Sequence, residues 1–364
     1  MRIGVDATPL QQLHGGISYY TFFLLDELIQ IRENDTFFLF NNKITDHLEH
    51  FRKYKNVRIA TYPPSFVGHS IWAQTLLSYG CWIEKIDLFW GTTQSIPLFK
   101  RSSTKTILTL HDFVYLICPE TTSLFKKIYL KLLCRKMLQK ADIILPVSAG
   151  TGSKLQRFYN IDYHSIISPP LKPQMTFEQT SRHNFKKYLV VIGTLEPRKN
   201  LQSLIDVYLE MLKNYPAEDI LPLVIIGGGG WKNKKLIQNL AQAKASYPNH
   251  FHLMGYIPDS EIASFLSGAR YCLMVSKYEG YGMPIAESRM CRTPVICLDT
   301  PEMREAAEND GYFLSENNWR EEIQPYILAS SQIQYIDKTS YLSNKDKAFK
   351  ISKTIDSLYR SSYI

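Results

Sequence analysis

Two carboxylates separated by seven residues, Glu279 and Glu287, flank a glycine-bearing turn in the stretch SKYEGYGMPIAES, residues 276–288. The apolar run at 271–275 before it predicts a buried strand, and Pro284 suits the first turn of a following helix. A strand that passes through such a turn into a helix leaves backbone N–H groups free above the strand end. Gly280 and Gly282 let that backbone approach a ligand closely, so the turn offers donors to an oxygen-rich molecule. With Glu279 at the strand end and Glu287 about a helical turn beyond Pro284, both carboxylates can point into one crevice and grip several hydroxyls. The plain alternative is a pair of solvated acids favoured by the dipole at a helix start.

Three other places carry residues suited to the same kind of ligand. KYLVVIG, residues 187–193, predicts a strand, and TLEPRKN places Arg198 and Lys199 just before a helix with Leu201, Leu204, Ile205 and Tyr208 on one face. Two cations and free N–H groups at the carboxyl end of a strand suit a diphosphate, although an isolated Arg-Lys pair is more often solvated surface. Residues 106–110 predict a strand running into His111 and Asp112, and a His at that end of a parallel strand faces the ligand crevice of an open sheet. The opening RIGVD strand leads to Gly15 and Gly16 and then a helix with Tyr20, Phe23, Leu24 and Leu28. A phosphate fits such a helix start, while a Gly-Gly pair by itself more commonly marks a tight turn.

From residue 276 through MCRTPVI at 290–296, the string resembles the signature of the family-4 retaining glycosyltransferases, which have the GT-B fold and set a Glu-x7-Glu pair on a sugar-nucleotide donor. GTLEPRKN is similar to a subgroup that includes many bacterial O-antigen and capsule mannosyltransferases. The resemblance implies that Glu279 positions and electrostatically stabilises the donor sugar, that the backbone of Gly282, Met283 and Pro284 lies beside that sugar, and that Glu287 accepts from the ribose hydroxyls. It also implies that Arg198 and Lys199 hold the diphosphate, that the Gly15-Gly16 loop lies against it, that His111 sits near the reaction centre, and that Tyr256 and Ile257 are base contacts. GDP-mannose is the first donor it suggests, with UDP-sugars or dTDP-rhamnose behind. No aspartate pair has DxD spacing, so neither a metal clamp nor a cofactor is expected. The chain departs from the pattern in three places: Ser18 and Tyr19 follow Ile17 where GGIGRY is usual, Arg292 stands where Gly is usual, and Arg289 is unusual. Thr194 follows the strand glycine, at a position where the subgroup often lacks the Arg of other members. Neither Arg289 nor Arg292 is given a role by the sequence.

A length of 364 residues is long for one core and favours two domains. Alternating strand and helix signals predict an α/β protein, and the resemblance makes it a GT-B protein with two Rossmann-like parallel-sheet domains facing a cleft. The proline-bearing stretch 168–184 marks the boundary. The expected domains are 1–170, for the acceptor, 171–343, for the nucleotide sugar, and 344–364, a return helix packing on the first domain with Ile351, Ile355, Leu358 and Tyr359 as its apolar stripe. Residues 70–83 predict one helix rich in Trp and Leu. The six cysteines lack CxxC spacing and sit among apolar neighbours, which predicts buried free thiols.

Charge is uneven: residues 1–175 hold 20 Lys+Arg against 13 Asp+Glu, and the remainder 22 against 21. Within 126–140, Lys126, Lys127, Lys131, Arg135 and Lys136 alternate with Ile128, Leu132, Leu133, Met137 and Leu138, a basic amphipathic helix. It reads either as a core helix with a solvated cationic face or as a surface for an anionic bilayer or acceptor. No nucleic-acid motif accompanies the charge, and no apolar run reaches the roughly 20 residues that span a bilayer. The expectation is a cytoplasmic enzyme peripheral to the inner membrane face, extending a lipid-linked glycan. A GT-B sugar-nucleotide epimerase and a non-catalytic partner in a polysaccharide assembly complex are the alternatives.

Overall fold

The computed structural model describes residues 1–13, 15–63, 68–121, 133–179, 187–230, 233–330 and 341–360. Short runs rich in Val, Ile, Leu and Phe make two sheets of parallel strands. The first contains β1 (Arg2–Asp6), β2 (Thr36–Asn41), β3 (Val57–Thr61), β4 (Leu88–Gly91), β5 (Lys105–Leu110) and β6 (Ile143–Pro146), in the order β3-β2-β1-β4-β5-β6. The second contains β7 (Leu189–Ile192), β8 (Leu223–Ile226), β9 (Phe251–Gly255), β10 (Tyr271–Met274), β11 (Val295–Leu298) and β12 (Tyr312–Leu314), in the order β12-β11-β10-β7-β8-β9. β4, β6, β8, β10 and β11 are buried along their whole length, as expected of parallel strands covered by helices on both faces.

Each sheet reverses its winding once. In the first, Ile3 pairs with both Phe37 and Leu88, so the reversal falls between β1 and β4. In the second, Leu189 pairs with both Tyr271 and Leu223, so it falls between β7 and β10. Chain segments leaving adjacent strands at such a point diverge to opposite faces and open a crevice at the carboxyl ends, where open α/β sheets hold ligands.

The chain forms two compact units, one of Met1–Phe113, Ser123–Pro170 and Leu342–Ile364, the other of Val114–Thr122 and Leu171–Tyr341. The helix Asn344–Arg360 therefore completes the first unit, burying Ala348, Ile351 and Ile355. It is tied to the helix Gly16–Ile31 by Arg32, whose Nη1 donates to Asp356 Oδ1 at 2.8 Å and Ser352 Oγ at 3.0 Å. The Lys347 ammonium, buried by the same packing, donates to the Pro169 carbonyl at 2.7 Å, and burial pushes its pKa down to about 8.

Residues 70–83 differ from expectation. They form two helices, His69–Gln74 and Leu76–Ile83, broken at Thr75 (φ −117°, ψ −85°). The Thr75 hydroxyl donates back to the Ile71 carbonyl at 2.8 Å, a competing bond of the kind that bends helices. Lys126, Lys127 and Lys131 lie outside the described residues. Residues 133–140 are helical, with Arg135 and Lys136 exposed and Cys134, Met137 and Leu138 buried. All six cysteines are buried, and none is in a disulfide.

Candidate functional site

The second unit gathers its chemistry at its winding reversal. β7 ends at Ile192, and the chain passes Gly193 and a 3-10 turn, Pro197–Lys199, before the helix Leu201–Asn214. Gly193 has φ +150°, and a Cβ there would meet the Lys199 side chain at 3.2 Å, so the glycine lets that lysine fold back over the strand end. β10 ends at Met274, and Glu279 follows a few residues later. The two segments are joined through the Lys277 N–H, which donates to the Arg198 carbonyl at 2.8 Å.

Glu279 is consequently the centre of a buried ion cluster. Its Oε2 accepts from Arg198 Nη1 at 2.6 Å and its Oε1 from Lys199 Nζ at 2.8 Å. Arg198 Nη1 also donates to the Tyr278 carbonyl at 2.9 Å, and its Nη2 reaches Glu196 Oε1 at 2.7 Å. Burial works against the charge on Glu279, but Lys199 and Arg198 outweigh it and hold the pKa down at about 2. A small recess beside the cluster is lined by Gly193, Thr194, Lys199, Val275 and Ser276.

Glu287 belongs to a second cluster. It lies on the helix Met283–Met290, which Gly282 opens at φ +114° and Pro284 enters in its first turn. Its Oε1 is 3.4 Å from Lys172 Nζ, which reaches Asp259 Oδ1 at 2.7 Å. Burial raises the Glu287 pKa despite Lys172, because that lysine gives its short contact to Asp259. Lys172 in turn stays charged: burial lowers its pKa, but Glu287 and Asp259 more than compensate. The two carboxylates thus hold different cations, and Lys172 and Asp259 are additions that periodicity and motif gave no reason to select. Asp259 opens the helix Asp259–Gly268 just beyond β9. Gly255, which ends β9, has φ +66°, and in the turn that follows Tyr256 is 64% exposed and Ile257 is buried.

Arg289 and Arg292 receive structural roles. Arg289 is buried and bridges Glu308 at 3.1 Å and Asp310 at 3.0 Å. Arg292 follows the C-cap of the Glu287 helix at φ +59°, the left-handed position that glycine favours at helix ends, and its guanidinium lies 5.0 Å from the Phe177 ring centroid. Left-handed backbone costs a non-glycine residue about 1–2 kcal/mol, and an exposed cation–π contact returns about 0.5–1 kcal/mol. Arg292→Gly is therefore expected to raise stability by up to about 1 kcal/mol, read as a higher urea midpoint with an unchanged slope; a lower midpoint would refute it.

In the first unit, residues from three strand ends meet at the other reversal. Asp6, at the end of β1, is buried; its carboxylate accepts from Thr8 Oγ1 and Thr93 Oγ1, each at 2.6 Å, and lies 2.9 Å from His69 Nε2. Burial alone would raise its pKa, but His69 and the hydroxyls lower it. Thr92, beyond β4, donates its hydroxyl to the Asp6 carbonyl at 2.6 Å, and its own carbonyl is 2.7 Å from His111 Nε2, beyond β5. A carbonyl only accepts, so His111 carries its proton on Nε2. Burial lowers its pKa, leaving a neutral ring with a lone pair on Nδ1. The Tyr20 ring meets it edge-on at 5.1 Å. Gly15 caps the helix Gly16–Ile31 at φ +87°, with Ser18 Oγ donating to the Gly15 carbonyl at 2.9 Å. The Asp6–His69 pair escaped sequence reading, since a lone Asp and a lone His 63 residues apart announce nothing until the sheet joins them.

Residues 174–328 match the family model for glycosyl transferases group 1. O-antigen chain mannosyltransferase B of Escherichia coli is 28% identical over 241 residues, 63% of this chain and 61% of that protein. O-antigen chain mannosyltransferase RfbU of Salmonella typhimurium is 24% identical over 239 residues, 64% of this chain and 63% of that protein. The chain thus spans less than two thirds of the length of either relative. Among solved structures, sucrose-phosphate synthase from Thermosynechococcus elongatus shares the fold with a TM-score of 0.70 at 14% identity, covering 100% of this chain and 99% of that one.

Proposed function

We propose that this chain, a GT-B protein that resembles the group 1 glycosyl transferases and the bacterial O-antigen mannosyltransferases, is a metal-independent retaining hexosyltransferase. The observation that carries this reading is the Glu279 cluster at the winding reversal of the second unit, where Arg198 and Lys199 share one carboxylate. A nucleoside diphosphate brings a second anion to those two cations. Its arrival loosens their hold on Glu279, whose carboxylate is then available to the hydroxyls of the donor sugar. Gly282, Met283 and Pro284 lie along that sugar, Glu287 takes the ribose hydroxyls, and Tyr256 and Ile257 receive the base. Gly15 and Gly16 of the first unit approach the diphosphate, and His111 Nδ1 accepts from a sugar hydroxyl.

The acceptor hydroxyl oxygen bonds to C1 as the bond from C1 to the phosphate oxygen breaks. The acceptor proton passes to the leaving diphosphate, whose charge Arg198 and Lys199 stabilise without reorganising. Mannose from GDP-mannose is the transferred sugar, and the acceptor is a lipid-linked glycan of a bacterial surface polysaccharide, O-antigen or capsule. No helix among the described residues is long and apolar enough to cross a membrane. A lipid-linked acceptor sets the enzyme's work at the cytoplasmic face of the inner membrane, as a peripheral protein. Arg135 and Lys136, with Lys126, Lys127 and Lys131, supply its attraction to anionic lipid.

Thermal denaturation with GDP, UDP and dTDP tests the donor. GDP is expected to give the largest rise, about 2.7 kcal/mol of stabilisation at a hundred times its Kd. Stabilisation by UDP alone would discard GDP-mannose, and no stabilisation by any of the three would discard the transferase.

A further inference from the structure

The helix Leu76–Ile83 is apolar on both faces. Leu77, Gly80 and Cys81 face the core, while Tyr79, Trp82 and Ile83 are 59%, 58% and 53% exposed. Positions i, i+3 and i+4 share one face, so the exposed three form a single apolar surface. A helix apolar all round has something to cover each side. Beside it runs the segment between β4 and β5. That segment is tied at its middle by the Leu98 N–H to Gln74 Oε1 at 3.0 Å, just before the helix, and at its end by Thr104 Oγ1 to the Ile86 carbonyl at 2.7 Å, just after it. Phe99, 75% exposed, lies on this stretch next to Lys100 and Arg101.

Cations lie on the same elements and on the helix packed beside them. Lys85 follows the helix, and Lys100 lies close enough to Lys105 and Lys140 for burial and those like charges to lower its pKa, against the pull of Asp142. The helical residues 133–140, with Arg135, Lys136 and Lys140 exposed, pack through Met137 against Gln74 and Ser95. The nearby acids are already paired: Glu84 with Arg2 at 3.1 Å, Asp142 with Lys105 at 3.2 Å. Trp, Tyr and Phe edged by Lys and Arg is the composition of a surface that lies in a lipid headgroup layer, apolar groups below and cations at the phosphates.

We propose that Tyr79, Trp82, Ile83 and Phe99 insert into the headgroup boundary of an anionic bilayer, while Lys85, Lys100, Arg101 and the exposed cations of 133–140 meet lipid phosphates. This rests on the reading of the acceptor as lipid-linked, and adds the surface that docks. An uncharged patch would suit a second protein equally well; the exposed cations Lys85, Arg135, Lys136 and Lys140 in the same unit favour lipid.

The test is co-sedimentation of the full chain with vesicles of phosphatidylglycerol and phosphatidylcholine, and with phosphatidylcholine alone. Binding is expected to the anionic vesicles, to fall with salt, and to weaken about tenfold or more in the double variant Trp82→Ser, Phe99→Ser. Brominated lipid is expected to quench tryptophan fluorescence in the wild type and much less in Trp82→Phe. Undiminished binding by the double variant overturns the proposal, as does quenching that survives Trp82→Phe, or a dimer in sedimentation velocity that the double variant abolishes while vesicles go unbound. GDP-induced stabilisation of the same variant keeps the two readings apart: it should persist, and its absence in wild type and variant alike counts against the transferase, not against the docking surface.

Discussion

Glu279→Gln should lose about a hundredfold or more in turnover while becoming more responsive to nucleoside diphosphate. The first part follows if, as proposed, Glu279 is the charge set at the sugar, a kind of preorganised electrostatic group whose loss typically costs that much. The second follows from the ion cluster. In the free protein Glu279 neutralises Arg198 and Lys199, both largely buried. Gln takes the carboxylate from Lys199 and leaves Arg198 with Glu196, which costs up to about 3–5 kcal/mol of stability. A diphosphate supplies the missing charge, so the rise in Tm on adding GDP should exceed that of the wild type. The acid limb should change as well. The Glu279 pKa is depressed from 4.5 to about 2, so its ion pairs contribute fully above about pH 4.5 and fade as pH falls toward 2. That portion of the acid sensitivity should vanish in the variant. Unaltered stability together with an unaltered GDP response would show that the cluster is not what holds the donor.

Lys172→Met should destabilise by about 3–5 kcal/mol at neutral pH, with a deficit that shrinks on acidification. Met preserves the apolar stem but removes the cation that Asp259 and Glu287 share, leaving two acids in a site that already disfavours charge. The Glu287 pKa is raised even with Lys172 present, and losing the cation raises it further. A raised carboxyl pKa penalises folding above that pKa and relaxes below it, so protonation at falling pH restores part of the loss. Chemical denaturation at pH 7.5 and pH 5 reads this directly. A deficit independent of pH would mean that Lys172 contributes by packing, not charge.

What could be read from sequence was whatever is local. The strand runs, the glycine turn before Pro284, and the cations after Gly193 are contiguous signals, whereas alternation gives the α/β class and leaves the strand order to the structure. The Thr75 break was hidden, because a threonine inside an apolar periodic stretch breaks a helix only when its hydroxyl takes the competing bond. Lys172 was hidden in the proline-bearing linker, where no periodicity marks a buried side. Arg292 illustrates a partial signal: its departure from the usual glycine was visible, but the left-handed backbone that explains the glycine was not. The Asp6–His69–Thr93 and Arg198–Glu279 clusters bring together residues tens of positions apart, and only the sheet topology supplies their adjacency.

The placement of the last helix in the first unit sets an order of events in biosynthesis. Arg32 and Asp356 are 324 positions apart, with nearly all of the second unit between them. On a ribosome delivering the chain from its N-terminus, the first unit waits for its final layer until the second has emerged. The later-made unit is thus the first able to finish. Once compact, it acts as a short tether in place of a long floppy loop. The entropic cost of bringing the ends of the first unit together then grows with only a few linker residues, not with the hundreds that separate them.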